Sequence, residues 1–118
     1  MKSELGDKVR LLHILDAINS VERYILHVFY NEFLENSEKR FATVKQIEII
    51  GEACNALSEK LKTEHSDIPW KAIKGFRNVS IHEYFGVDFH VVWEIATHDL
   101  PDLKVKIQGI LENIEKTK

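Results

Sequence analysis

Hydrophobic positions recur at intervals of three and four along most of the 118-residue chain, which is the spacing of one face of an α-helix. The pattern begins after Asp7, which we interpret as an N-cap, and predicts a long first helix. Its apolar stripe is Leu11, Leu15, Ile18, Val21, Ile25 and Val28. Polar residues are frequent over 29–38, so we expect a connection there with one short helical turn at 32–35.

A second helix is predicted from about Lys39 to His65. Its apolar stripe alternates steps of three and four, as in a coiled-coil seam, and consists of Ile47, Ile50, Cys54, Leu57 and Leu61. Another face of the same helix carries Glu48, Glu52, Asn55 and Glu59, which exposure to solvent explains. The alternative hypothesis is that Glu52 reaches into a functional site and orients Arg77 or His82.

Aspartate and proline mark the starts of the remaining helices. Pro69 stands between Asp67 and Trp70, and proline is favoured in a first helical turn, so a third helix begins there. Asp88 is the predicted N-cap of a fourth helix, apolar on most sides and therefore buried in the bundle or in a subunit interface. Asp99-Leu100-Pro101 starts a fifth helix, which directs Leu103, Ile107, Ile110 and Ile114 inward. The predicted class is all-α, a single-domain bundle of four to five helices over residues 1–118.

Composition limits the classes of function. With 44% hydrophobic and 30% charged residues the chain fits one compact soluble domain. Its net charge of -3 argues against coating nucleic acid through bulk positive charge, and we expect no DNA partner. We find no signal peptide and no membrane span, so we expect a cytoplasmic protein without a membrane partner. The single cysteine, Cys54, is interpreted as a buried hydrophobe.

One segment of this acidic chain is locally basic. Lys71, Lys74 and Arg77 recur at every third position, and no acidic residue occurs between Trp70 and Ile81. Such a row of cations is able to follow a phosphate backbone, although a solvated helix face explains it equally well. For Trp70 and Phe76 we favour places in the core over base stacking.

Arg77 and His82 have the chemistry needed to cleave RNA without a metal. The guanidinium matches phosphate oxygens, and the imidazole can transfer a proton of the ribose 2′-hydroxyl or of the leaving oxygen. In one continuous helix the two side chains would point about 140° apart. The pair therefore converges only if the helix ends or distorts near His82, or if two subunits complete the site. A second His82 in a dimer is the economical candidate for the other proton transfer.

Patterns for metal or cofactor binding are weak. The six histidines are scattered, and no Glu-x-x-His pair of the kind used by di-metal bundles occurs. A glycine-rich phosphate loop is also missing from the sequence. We predict no metal site and no cofactor.

The segment Arg77, four residues, His82, one residue, Tyr84 resembles the signature of HepT-like proteins of the HEPN superfamily. The resemblance covers nearly the whole chain. It continues, in the same order, through Ile49–Ala53, Ile68–Trp70, Arg77-Asn78, His82–Asp88, Val92-Trp93 and Asp99–Pro101. Two positions depart from the pattern, since Ser80 stands where we expect an apolar residue and Glu83 where a small one is common. Glu83 would repel RNA, which concerns the strength of the activity more than the assignment.

This resemblance implies a homodimeric, all-helical ribonuclease that acts as the toxin of a two-gene, type VII toxin-antitoxin system. The antitoxin of such a pair is an MNT-type minimal nucleotidyltransferase. Arg77 and His82 become the catalytic pair and Asn78 a supporting polar residue. Lys71 and Lys74 are candidates for RNA binding on the separate ground of their basic spacing.

The resemblance also makes Tyr84 the residue that the partner adenylylates to switch the ribonuclease off. An AMP group two residues from His82 would place negative charge and bulk where RNA enters. The alternative is a non-catalytic module that binds a nucleotide or docks onto the nucleotidyltransferase. The presence of Arg77, His82 and Tyr84 together favours the ribonuclease.

Overall fold

The computed structural model describes residues 4–79 and 88–116, and most of them are helical. The helices are α1 (Glu4–Ile25), α2 (Tyr30–Glu35), α3 (Ser37–Asn55), α4 (Glu59–Glu64), α5 (Trp70–Lys74), α6 (Phe89–Glu94) and α7 (Leu100–Lys116). A 3₁₀ segment over 75–79 follows α5, and a π-helical turn (Ile95–Asp99) joins α6 to α7. These two ranges contain no strand, and the predicted all-α class is confirmed.

An antiparallel pair, α1 and α3, forms the centre of the bundle. At one end the carboxylate of Asp7 accepts hydrogen bonds from Ser58, just beyond α3. At the other end Tyr24 of α1 accepts from Lys39 Nζ at 2.7 Å, through its carbonyl oxygen. Helix α7 runs antiparallel to α1, and the Lys104 ammonium lies 3.0 Å from the Glu22 carboxylate across this contact. Because α1 packs on both α3 and α7, it contributes to the core over a wide face.

The buried face of α1 differs in part from the predicted stripe. Leu11, Ile18 and Val21 are buried as predicted, but Leu15, Ile25 and Val28 are only partly buried. Ile14 and Ala17 occupy core positions that the spacing did not predict. The reason is that α1 has two helical neighbours, so its buried surface is wider than a single seam. The whole stripe predicted for the second helix is buried, although it now spans α3, the turn after it and α4, namely Ile47, Ile50, Cys54, Leu57 and Leu61.

Two predicted boundaries are wrong, and one interaction explains both. Asp7 does not cap α1, which begins at Glu4. This aspartate is only 4% exposed, and its carboxylate accepts hydrogen bonds from the Ser58 N–H at 2.8 Å and from the Ser58 hydroxyl at 2.5 Å. The predicted second helix does not continue to His65, since Ser58 has extended backbone and accepts from the Leu61 N–H as the N-cap of α4. A contact between residues 51 positions apart leaves no local signal in the sequence.

The predicted fourth and fifth helices are joined rather than separated. Asp88 caps α6 as predicted, because its carboxylate accepts from the His90 N–H at 3.0 Å. The chain then passes through the π-helical turn, in which Leu100 N–H bonds the carbonyl of Ile95. Pro101 has no N–H to give to Thr97, so an α-helical ladder has a gap here that the wider turn accommodates. The inward residues of α7 are Leu103, Ile107 and Ile110, which are buried, and Ile114, which is partly buried.

The Cys54 side chain lies in the core, as predicted for a small hydrophobe. Burial raises the pKa of its thiol to about 12, and the nearby Lys62 ammonium opposes only part of that rise. A thiol held neutral in this way is a poor nucleophile.

The helices of the described ranges are too short or too polar to cross a membrane.

Candidate functional site

The segment that carries Arg77 stops being α-helical before it reaches this residue. Helix α5 starts at Trp70, whose indole N–H donates to the carbonyl of His65 at 3.0 Å, and it ends at Lys74. Arg77 and Asn78 then lie in the 3₁₀ segment, so the helix changes geometry before the arginine. His82, Tyr84, Ser80, Glu83 and Gly86 fall outside the described residues. The convergence of Arg77 with His82 and the roles of His82 and Tyr84 therefore stay predictions.

Gly51 is the point at which the 3₁₀ segment contacts α3. A Cβ atom at this buried position would lie 2.4 Å from the backbone nitrogen of Arg77 and 3.0 Å from the carbonyl carbon of Phe76. Backbone atoms cannot give way as the end of a flexible side chain can, so only glycine fits without a shift of one element. The family resemblance includes Gly51 but does not indicate its role. A glycine within a helix costs roughly 0.5–1 kcal/mol relative to alanine, so its presence in α3 is a sequence signal of close packing.

A groove of about 800 Å³ lies between α1 and α3, and Arg77 forms part of its wall. Glu52, next to Gly51 on α3, also lines it and is exposed. The predicted neighbours Glu52 and Arg77 thus face one groove. Whether the carboxylate orients the guanidinium stays a prediction.

Several groove residues were not predicted, because the polar positions of α1 have the pattern of a solvated face. Helix α1 contributes Arg10, His13 and Arg23, and α3 contributes Lys45 and Glu48. The Nη1 atom of Arg10 is buried and has no hydrogen-bond partner within the described chain. No local pattern indicates that the polar edges of these two helices lie side by side, because that depends on their tertiary packing.

The remaining predicted residues lie apart from the groove. Lys71, Lys74 and Asn78 are exposed, and none of the three is among the described residues that line it. Trp70 and Phe76 are partly buried against the core, as we favoured. The two lysines precede Arg77 along the chain on α5, and their contact with RNA stays a prediction.

Among the described residues, no group of three or more histidine, cysteine, aspartate or glutamate side chains is arranged to hold a metal ion. Glu94 instead pairs with two exposed histidines, at 3.3 Å from His98 Nε2 and 3.8 Å from His90 Nε2. Asp99 ends the π-helical turn, and partial burial raises the pKa of its carboxyl. The charge of Glu94 reinforces this rise, and the charge of His98 opposes it.

Comparison with known proteins assigns the family. The profile described as Ribonuclease HepT-like matches residues 14–110. A protein of Methanocaldococcus jannaschii named "Putative RNase" is 36% identical over 101 residues, which cover 86% of this chain and 93% of that protein. The "Probable ribonuclease HepT" of Thermococcus cleftensis is 36% identical over 97 residues, 82% of this chain and 88% of that protein. No solved structure matches the chain. The chain belongs to the HepT-like family of the HEPN superfamily.

Proposed function

We propose that this chain is a metal-independent endoribonuclease and the toxin of a toxin-antitoxin pair. The observation that carries the proposal is the position of Arg77. Its backbone packs on Gly51, and its side chain lines a groove with other cations, in a chain of a ribonuclease family. A guanidinium at the wall of such a groove suits the non-bridging oxygens of a phosphodiester.

Cleavage proceeds by attack of the ribose 2′-oxygen on the adjacent phosphorus. His82 takes the proton of the 2′-hydroxyl as the new P–O bond forms, and Arg77 stabilises the charge that grows on the phosphate. The bond to the 5′-oxygen then breaks, and that oxygen takes up a proton from a second group, for which His82 of another subunit is our candidate. The products are a 2′,3′-cyclic phosphate and a free 5′-hydroxyl.

Supporting roles fall to four residues whose positions are described above. Glu52 orients Arg77 from the adjacent wall, and Asn78 provides a polar contact next to it. Lys71 and Lys74 bind phosphates outside the groove, where exposed ammonium groups lose little hydration on binding.

Regulation completes the proposal. An MNT-type nucleotidyltransferase encoded with the toxin transfers AMP from ATP to the Tyr84 oxygen and releases pyrophosphate, and the added phosphate repels RNA near His82. The expected sign is a mass increase by whole AMP units after incubation with that partner and ATP. The Tyr84→Phe variant lacks the acceptor hydroxyl and is expected to keep its mass.

The decisive experiment is cleavage of total RNA by the purified chain in EDTA, with mapping of product ends. We expect cyclic phosphate ends from the unaltered chain, and losses on the order of 100-fold or more for Arg77→Ala and His82→Ala. His98→Ala, which removes an exposed histidine paired with Glu94, is the matched control and should cut normally. Circular dichroism checks that each variant is folded.

An unaltered chain that is folded, free of AMP by intact mass and yet inactive on RNA would contradict the proposal. That outcome would favour the non-catalytic module that binds a nucleotide or docks onto the nucleotidyltransferase. Cleavage that survives both Arg77→Ala and His82→Ala would leave the activity but remove these two residues from the mechanism.

A further inference from the structure

The groove between α1 and α3 is longer than one phosphate requires. Asp7 contacts Ser58, and equal numbers of residues from this contact reach the same height on the two antiparallel helices. Six residues from it lie His13 on α1 and Glu52 on α3, and Arg77 packs on the neighbouring Gly51, so the three lie near one level. Thirteen residues from the same contact, Ser20 on α1 faces the level of Lys45 on α3 by the same count.

Cations occur at both ends of the groove. Arg10 and Arg77 line the end near Glu52, and Arg23 and Lys45 line the other. Arg10 and Arg23 are separated by 13 residues of helix, or about 20 Å at 1.5 Å per residue. Cations spread over such a length suit a chain of phosphates better than a single anion.

The charge of the groove also differs from that of the whole chain. Its walls hold four arginine and lysine side chains against three carboxylates, giving +1, whereas the chain as a whole carries -3. The Arg23 guanidinium donates to Ser20 Oγ at 3.0 Å, and both residues line the groove, so this cation is held along its wall. Arg10 also lines the groove, and its buried Nη1 has no hydrogen-bond acceptor among the described residues, so no protein carboxylate neutralises this cation through that atom.

From these observations we propose that the α1–α3 groove binds single-stranded RNA, with Arg23 and Lys45 holding phosphates several nucleotides away from the phosphate at Arg77. The proposal rests on the ribonuclease function and adds the path of its substrate. It makes Arg23 and Lys45 residues that affect RNA binding and have no part in bond cleavage.

The test uses a single-stranded oligoribonucleotide with 2′-O-methyl groups throughout, which binds but lacks the attacking hydroxyl. We expect Arg23→Gln and Lys45→Gln each to weaken its binding several-fold at low salt. Each should also reduce the slope of log Kd against log salt by about 0.7, the value for one lost phosphate contact on a single strand. Lys60→Gln removes the same charge from the exposed face of α4 and should bind as the unaltered chain does.

Equal affinity of the groove variants and the unaltered chain overturns the proposal, as does an equal loss in Lys60→Gln. A change of molecular mass in Arg23→Gln or Lys45→Gln with unchanged RNA affinity also overturns it, since the groove would then be a contact between two copies. Cleavage of ordinary RNA by the same preparations keeps the two proposals distinct. A chain free of AMP by intact mass that binds through Arg23 and Lys45 without cutting supports the RNA path and refutes the nuclease.

Discussion

At the scale of single residues, Gly51 determines where Arg77 lies. Its missing side chain lets the 3₁₀ segment rest on α3 at backbone distance, and this brings the guanidinium to the groove that Glu52 also lines. The contact joins two parts of the chain that are 26 residues apart (77 minus 51). The sequence predicted both residues from a motif but not their contact, because a glycine does not identify the backbone that approaches it.

We expect Gly51→Ala to reduce both stability and RNA cleavage. The added methyl would lie 2.4 Å from the Arg77 nitrogen, so the 3₁₀ segment must move away from α3. Overpacking of this kind costs roughly 1–3 kcal/mol, which urea denaturation measures. The matched control is Gly109→Ala in α7, where nothing lies within 4 Å of the new methyl. The control should gain roughly 0.5–1 kcal/mol through better helix propensity, and equal behaviour of the two variants would contradict the close contact at Gly51.

Cys54 makes stability depend on alkaline pH. Its pKa is about 12 in the folded chain against an ordinary value of 9.0. Between these values the unfolded thiol loses its proton and the folded one keeps it, so the unfolded state binds fewer protons and stability falls as pH rises. We expect the stabilisation of the unaltered chain relative to Cys54→Ala to shrink by about 1.4 kcal/mol per pH unit above pH 9. Urea denaturation from pH 7 to 10.5 measures this difference, and a constant difference would contradict the burial of the thiol.

At the scale of helices, local patterns predicted where most elements occur. The cap Asp88, the start at Trp70 and the core stripe of α3 were predicted because each depends on residues within one or two turns. The break between α3 and α4 was not readable. It depends on the buried carboxylate of Asp7, whose partner lies 51 residues away.

Ser58→Ala should destabilise the chain more than an ordinary loss of a helix cap. The hydroxyl accepts from the Leu61 N–H and donates to the buried Asp7 carboxylate, so its removal takes away a cap and one partner of a buried charge. We expect a loss of roughly 2–4 kcal/mol in the free energy of unfolding. Asn36→Ala removes the cap of α3 alone and should cost about 1 kcal/mol. Similar losses in the two variants would mean that the link to Asp7 adds nothing.

At the scale of the whole molecule, the groove comes from packing that no single segment encodes. Arg10 and Arg23 belong to a polar edge of α1 whose sequence pattern is that of any solvated face. Their place in a groove follows only from the packing of α1 beside Lys45 and Glu52 of α3. The sequence therefore predicted the class of fold and the motif around Arg77, but not the surface that extends from it. Register between two helices is fixed by their ends, here by Asp7 with Ser58.

The proposed cleavage needs two proton-transfer groups, and the motif offers one histidine per chain. We therefore expect a homodimer, with a mass of about 27 kDa by light scattering, twice the 13.7 kDa of the chain. The measurement belongs at the micromolar concentrations used for RNA cleavage. A monomer that cleaves RNA under those conditions would contradict a site shared by two subunits.

The π-helical turn sets how far α7 is rotated about its axis relative to α6. Helix α6 packs on α3 and α7 packs on α1, although their backbone is continuous through Ile95–Asp99. Each residue of a helix rotates the chain by about 100°, so one residue more or fewer in this turn would swing all of α7 away from its partner. Ile107 would then leave the core for the surface. Insertions and deletions between Trp93 and Leu103 should therefore be far more damaging to this fold than those in the loop after α1.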